Sequence, residues 1–160
     1  KKKKKKKKLK NLNKKKKKIF FKKILKKKKI LIFQDIFKIL KQIKKYNIKT
    51  AVASSSKNCK YILKKINFLQ KFDYVIDGKF LEANKLKGKP NSTIFSIVLK
   101  KLSLNKKKTI ILEDSSFGVL AAKRSGVKFV IGVARKSNAK ELKEFGAKIV
   151  VKSINQIEII

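Results

Sequence analysis

From Asp35 onward the chain alternates between two hydrophobic rhythms. Ile36, Ile39, Leu40 and Ile43 recur at the spacing of one helical face, and an apolar run over residues 48–53 follows them. This pattern predicts a helix and then a strand. The same alternation predicts further helices over 60–66, 93–102, 117–124 and 139–145. Strands are predicted over 74–76, 109–112, 128–133 and 148–151. Short, near-continuously apolar strands that alternate with helices belong to a parallel sheet covered on both faces and joined by right-handed crossovers. The expected fold is therefore a doubly wound α/β domain. Ligands of such sheets bind beyond the carboxyl ends of the strands, so the polar residues after each strand become the functional candidates.

The front of the chain has a different texture. Residues 1–34 contain no Asp or Glu, open with eight consecutive lysines and carry further lysine runs at 14–18 and 26–29. Like charges at this density resist collapse. Residues 1–34 are accordingly set apart as a Lys-rich segment from an α/β core over 35–160. Residues 1–18 read as a basic, disordered arm. Ile19, Phe20, Phe21, Ile24 and Leu25 could line one face of a helix that needs a partner surface or lies on a membrane surface.

At 160 residues the chain suits one ordinary domain. Its 48 basic residues against nine acids give a formal charge of +39, which raises the question of a polyanion partner. Only Arg124 and Arg135 are arginines, and no arginine fork or aromatic stacking module accompanies the lysines. Nucleic-acid binding therefore ranks below small-molecule chemistry. With no histidine and Cys59 as the one cysteine, an intramolecular disulfide, a His/Cys zinc site and a Ser-His-Asp triad are all excluded. No apolar stretch approaches the roughly 18 residues of a membrane-spanning helix, and a cytoplasmic location is the expectation.

Three loops hold the chemistry. After the strand at 48–53 come Ser54, Ser55, Ser56, Lys57 and Asn58, hydroxyls and a cation leading into a helix, a setting that suits a phosphate. Helix capping by a serine or by Asn58 is the simpler alternative. Gly88, Lys89 and Pro90 precede a helix that Asn91 or Ser92 would cap, and the proline stiffens the loop. Glu113 and Asp114 close the strand at 109–112, followed by Ser115, Ser116, Phe117 and Gly118. Adjacent carboxylates with open positions are what magnesium uses when it shares a substrate phosphate. Here too a plain cap, Asp114, with Glu113 solvated beside it, is the alternative.

The order of these loops resembles the second, third and fourth motifs of the haloacid dehalogenase superfamily. TAVASSSKN at 50–58, FDYVIDG at 72–78, LKGKP at 86–90 and LEDSSFGVLAAKRSG at 112–126 look most like its beta-phosphoglucomutase branch. VIGVARKSNAKELKEFGAKIVV at 130–151 continues the likeness. The resemblance implies a Rossmann-like core and a small phosphorylated substrate, such as a sugar phosphate, handled with magnesium. Ser54 would hydrogen-bond the transferring phosphoryl group, with Ser55, Ser56, Lys57 and Asn58 near the substrate. Lys89 would neutralise phosphoryl charge, and Glu113 and Asp114 would hold Mg2+ directly or through water.

Two departures qualify what the resemblance implies. Asn91, Ser92 and Thr93 stand where this branch usually has an acidic residue and a second proline, which touches only the local loop shape. The superfamily also carries an Asp-x-Asp loop after its first strand, the first aspartate attacking phosphorus. Here the aspartates are Asp35, Asp73, Asp77 and Asp114, none spaced two apart. The expectation is a core lacking its first strand, with residues 12–32 the end of a helical cap and the missing front supplied by another polypeptide or a fuller gene product. A catalytically dead relic and a basic nucleic-acid-binding protein are the competing readings. Self-repulsion at +39 predicts that thermal melts at low and high sodium chloride differ, the midpoint rising with salt.

Overall fold

The computed structural model describes residues 30–159, and residues 34–160 form one compact unit. The basic arm and the helix expected around Phe20 lie outside the described residues. Within the unit, α1 (Asp35–Lys45) leads to β1 (Ala51–Ala53), α2 (Cys59–Lys65), β2 (Tyr74–Ile76) and α3 (Gly78–Ala83). Then come α4 (Thr93–Lys101), β3 (Ile110–Glu113), α5 (Ser116–Arg124), β4 (Phe129–Val133), α6 (Ala139–Glu144) and β5 (Ile149–Val151). No helix among the described residues is long and apolar enough to cross a membrane.

The strands are parallel, as the alternation predicts, but they form two sheets. β1 pairs with β2, while β3, β4 and β5 pair in that order. No ladder hydrogen bonds pair β1 with β3 among the described residues. Two apolar clusters cover the strands. Val130 joins Ile94, Phe95, Val98 and Leu99 of α4, whereas Ile131 and Val133 join Ile39 of α1. Neighbouring strand residues point to opposite faces, so α1 and α4 cover opposite sides of the β3–β5 sheet.

β1 is shorter than the apolar run at 48–53 suggests, because its entrance is held from the side. Asp73 accepts hydrogen bonds from the Thr50 amide at 2.6 Å and the Thr50 hydroxyl at 3.0 Å. Those bonds hold the Asp73 carboxyl below its ordinary range and clamp the start of β1 to the start of β2. α3 is an element the sequence reading did not predict. It exists because Asp77, buried at the end of β2, caps it by accepting from the Lys79 and Phe80 amides, each at 3.1 Å.

α1 is anchored at its first residue. The Asp35 carboxylate takes Arg135 at 2.9 Å, the Ser153 hydroxyl at 2.8 Å and the Ile154 amide at 3.0 Å. Arg135 follows β4, and Ser153 and Ile154 follow β5, so one buried carboxylate ties the helix to two strand ends. The Arg135 hydrogen bonds, outweighing burial, lower the Asp35 pKa from 3.8 to about 2. A depressed carboxylate adds stability above its unfolded pKa and loses it as pH falls through the folded one. The shift corresponds to on the order of 2 kcal/mol. Urea melts of the native chain and Asp35→Asn should therefore differ by about this much at neutral pH, and the gap should close between pH 4 and pH 2.

Candidate active site

The serine loop is shaped by its own hydroxyls. The Ser54 amide continues the β1–β2 ladder by donating to the Ile76 carbonyl at 3.0 Å. Beyond it, Ser54 Oγ accepts from the Ser56 amide and Ser56 Oγ from the Asn58 amide, both at 3.2 Å. Asn58 occupies the N-cap position of α2 without a side-chain cap bond, so capping does not account for it. The loop rests on Gly78, whose amide donates to the Ser56 carbonyl at 3.1 Å. A Cβ there would lie 2.2 Å from the Ser55 carbonyl oxygen, so this approach admits only glycine.

The other two loops meet the first through Lys89. Its amide donates to Ser55 Oγ at 3.3 Å, and its ammonium pairs with Glu113 Oε1. The ammonium also lies 4.9 Å from the centre of the Phe95 ring. Both partners are withdrawn from water, at 13% and 8% side-chain exposure. The Lys89–Pro90 peptide is cis, and Arg124 of α5 donates to the Pro90 carbonyl at 3.1 Å, fixing the loop from its far side.

Burial pushes the Glu113 carboxyl above its ordinary pKa, while the charge and hydrogen bond of Lys89 pull it back down. Gly118 makes room for the carboxylate, since a Cβ there would fall 1.9 Å from Glu113 Oε2. Ser115 caps α5 through the Gly118 amide at 3.2 Å, so the cap that Asp114 might have supplied belongs to its neighbour. Asp114 is exposed, and its carboxylate accepts no hydrogen bond from the described residues. Its carbonyl is held by Asn138 Nδ2 at 3.1 Å.

Ser54, Ser55, Lys89, Glu113 and Asp114 thus gather at the carboxyl ends of β1 and β3, where an α/β sheet places its ligand. Lys57 is engaged differently, in an exposed ion pair with Glu82 of α3. Gly78, Phe95, Gly118 and Asn138 also shape the site, a role the sequence reading assigned to none of them. A glycine one turn after the Glu-Asp pair was the available signal for Gly118. Cys59, at the start of α2, shares a hydrogen bond with Ser54, and burial raises its thiol pKa.

No group of three or more His, Cys, Asp or Glu side chains forms a metal cage among the described residues. Magnesium does not need one. It commonly takes one or two carboxylates and completes its shell with water and substrate oxygens. The open Asp114 carboxylate beside the buried Glu113 fits that donor set.

Parallel strands, a hydroxyl loop, a buried lysine and adjacent carboxylates define an α/β protein whose polar groups gather at its strand ends. The chain belongs to the haloacid dehalogenase-like hydrolase family, whose model matches residues 1–132. It is 33% identical over 116 residues to the phosphorylated carbohydrates phosphatase of Thermotoga maritima, covering 71% of this chain and 52% of that protein. It is 33% identical over 100 residues to the beta-phosphoglucomutase of Bacillus subtilis, covering 62% and 42% respectively. A solved HAD hydrolase, family IA, variant 3, from Entamoeba histolytica superposes with a TM-score of 0.80 at 26% identity, covering 93% of this chain and 67% of that one. The chain spans about half the length of the curated relatives it matches.

Removing one partner of the buried pair exposes its worth. Lys89→Met should leave Glu113 a buried, unpaired carboxylate and cost roughly 3 kcal/mol at neutral pH. A carboxyl with a raised folded pKa favours folding at low pH and opposes it as pH rises through that value. Urea melts should therefore show the variant's deficit shrinking as pH falls from 8 to 5.

Proposed function

We propose that this chain provides the phosphoryl-binding and magnesium-holding part of a phosphotransfer site for a small phosphorylated metabolite, a sugar phosphate. The reaction class is that of a phosphatase or phosphoglucomutase. The observation that carries this reading is the Lys89–Glu113 pair, buried where the serine loop and the Glu-Asp loop converge. A cation sheltered from water at a strand end stabilises phosphoryl oxygens far more than a surface lysine would. The names of the two curated relatives support the substrate class.

In this reading the Ser54 hydroxyl donates to a phosphoryl oxygen, with Ser55, Ser56 and Asn58 lining the approach of the substrate. Lys57 stands at its rim. Lys89 turns part of its charge from Glu113 to the incoming phosphate, so phosphate and carboxylate share one ammonium. Asp114 holds the magnesium ion, with Glu113 contributing directly or through water; the bound ion supplies charge neutralisation on the phosphoryl group. The chain has no Asp-x-Asp pair, so the attacking carboxylate must come from a polypeptide segment other than residues 30–159. Residues 1–34 are assigned to the cap side of that arrangement and residues 35–160 to the core. The lysine excess is assigned no nucleic-acid role.

Calorimetry with inorganic phosphate and with glucose 6-phosphate tests the binding half without needing turnover. Saturable binding is expected to strengthen on adding magnesium. Ser54→Ala should weaken it about tenfold, equivalent to about 1.4 kcal/mol. Asp114→Asn should erase the magnesium effect while leaving the melt unchanged. Binding of equal strength in both variants, with or without magnesium, would reduce the interaction to non-specific attraction by the lysines and sink the reading.

A further inference from the structure

Asn138 turns its side chain to Asp114 and away from its own helix. It stands at the N-cap of α6, where an asparagine oxygen ordinarily accepts from an amide of the first turn. Its backbone, at φ −110° and ψ 17°, lies outside the extended range in which Asp77 and Ser115 make such bonds, and no side-chain cap forms. Instead its amide nitrogen donates to the Asp114 carbonyl at 3.1 Å. The amide oxygen is left buried with no hydrogen-bond partner. A buried acceptor without a donor lowers stability, so folding alone does not account for this asparagine.

The frame around Asn138 is stiff. β4 pairs with β3 so that Gly132 stands opposite Glu113, which sets the loop after β4 beside Asp114. Arg135 ties the front of that loop to the buried Asp35, and the Ala134 amide donates to the Val151 carbonyl at 2.8 Å. At the other end the Leu142 amide donates to the Asn138 carbonyl at 3.0 Å, and the Leu142 side chain is fully buried. A Cβ at Gly132 would lie 3.1 Å from Leu142 Cβ, so the glycine lets α6 sit this close to β4. On the far side of Asp114, the Ser115 hydroxyl and carbonyl accept from the Gly118 and Val119 amides. The Asp114 backbone is thus held from both sides, while its carboxylate accepts no hydrogen bond from the described residues.

We propose that Asn138 is a positioning residue for magnesium: by holding the Asp114 carbonyl it fixes the direction in which the Asp114 carboxylate is presented. This assignment rests on the reading in which Asp114 holds the ion. A cap left unmade and an acceptor left unpaired mark a position where stability is given up for placement. A ligand whose backbone is fixed in advance loses less freedom when it binds, which is how groups behind a metal ligand raise its affinity.

The test titrates magnesium calorimetrically into the full chain saturated with inorganic phosphate, comparing the native protein with Asn138→Ala and Asn138→Leu. Leucine matches asparagine in shape and lacks both polar atoms. Each substitution should weaken magnesium binding roughly tenfold or more, as loss of a hydrogen bond behind a metal ligand does. Phosphate affinity without magnesium should stay unchanged, because Ser54 and Lys89 are untouched. The urea midpoint should hold in Asn138→Ala and hold or rise in Asn138→Leu, since no cap is lost and the unpaired oxygen is gone. Native magnesium affinity in both variants would overturn the assignment to Asn138 and leave the reading of Asp114 standing. A lowered midpoint with weaker magnesium-free phosphate binding would also overturn it, reducing Asn138 to a structural part. A native chain that binds phosphate but no magnesium would remove the reading of Asp114 and this assignment together.

Discussion

One ion pair shielded from water joins the parts of this molecule that sequence keeps apart. Lys89 comes from a loop whose amide rests on the serine loop after β1, and Glu113 is the last residue of β3. The two strands belong to different sheets, so no backbone ladder connects them. The Lys89–Glu113 contact therefore does across the gap what hydrogen bonds do within each sheet. A pair so placed is costly to desolvate, and either partner alone would be worse. The surrounding glycines follow from this, since Gly118 admits the Glu113 carboxylate and Gly78 lets the serine loop settle against the start of α3.

Acids are scarce in this chain, and the described structure shows what the few do. Asp35 anchors α1 to the ends of β4 and β5, Asp73 clamps the start of β1, Asp77 caps α3, and Glu113 receives Lys89. Each acid meets a specific donor close at hand. Against a formal charge of +39, an unassigned acid would find a lysine almost anywhere, so spacing of charges alone carries little information here. Asp114 differs from the other aspartates in keeping its carboxylate open while its backbone is fixed by Asn138.

Much of the fold was legible because parallel strands buried on both faces leave a strong mark. Ile131 and Val133 pack to one side and Val130 to the other, and the run 128–133 reads as strand without ambiguity. The rule that ligands sit at strand ends then brought the three loops together before any geometry was known. Features carried by single side chains were not legible. α3 depends on Asp77 as a buried cap, and six residues after a strand give too little periodicity to reveal a helix. Lys57 sits beside the serines in sequence, yet its charge goes to Glu82, which only the third dimension brings near. The division of the strands into two sheets was equally hidden, because apolar runs report burial and not which edges pair.

That division bears directly on the site. The hydroxyl loop follows β1 of one sheet and the carboxylates stand at the end of β3 of the other, so each sheet carries part of the candidate site. Their separation sets the spacing between serine hydroxyls and carboxylates, and Lys89 spans it. The backbone edges left open by the gap and the chemistry gathered above it are therefore consequences of one arrangement.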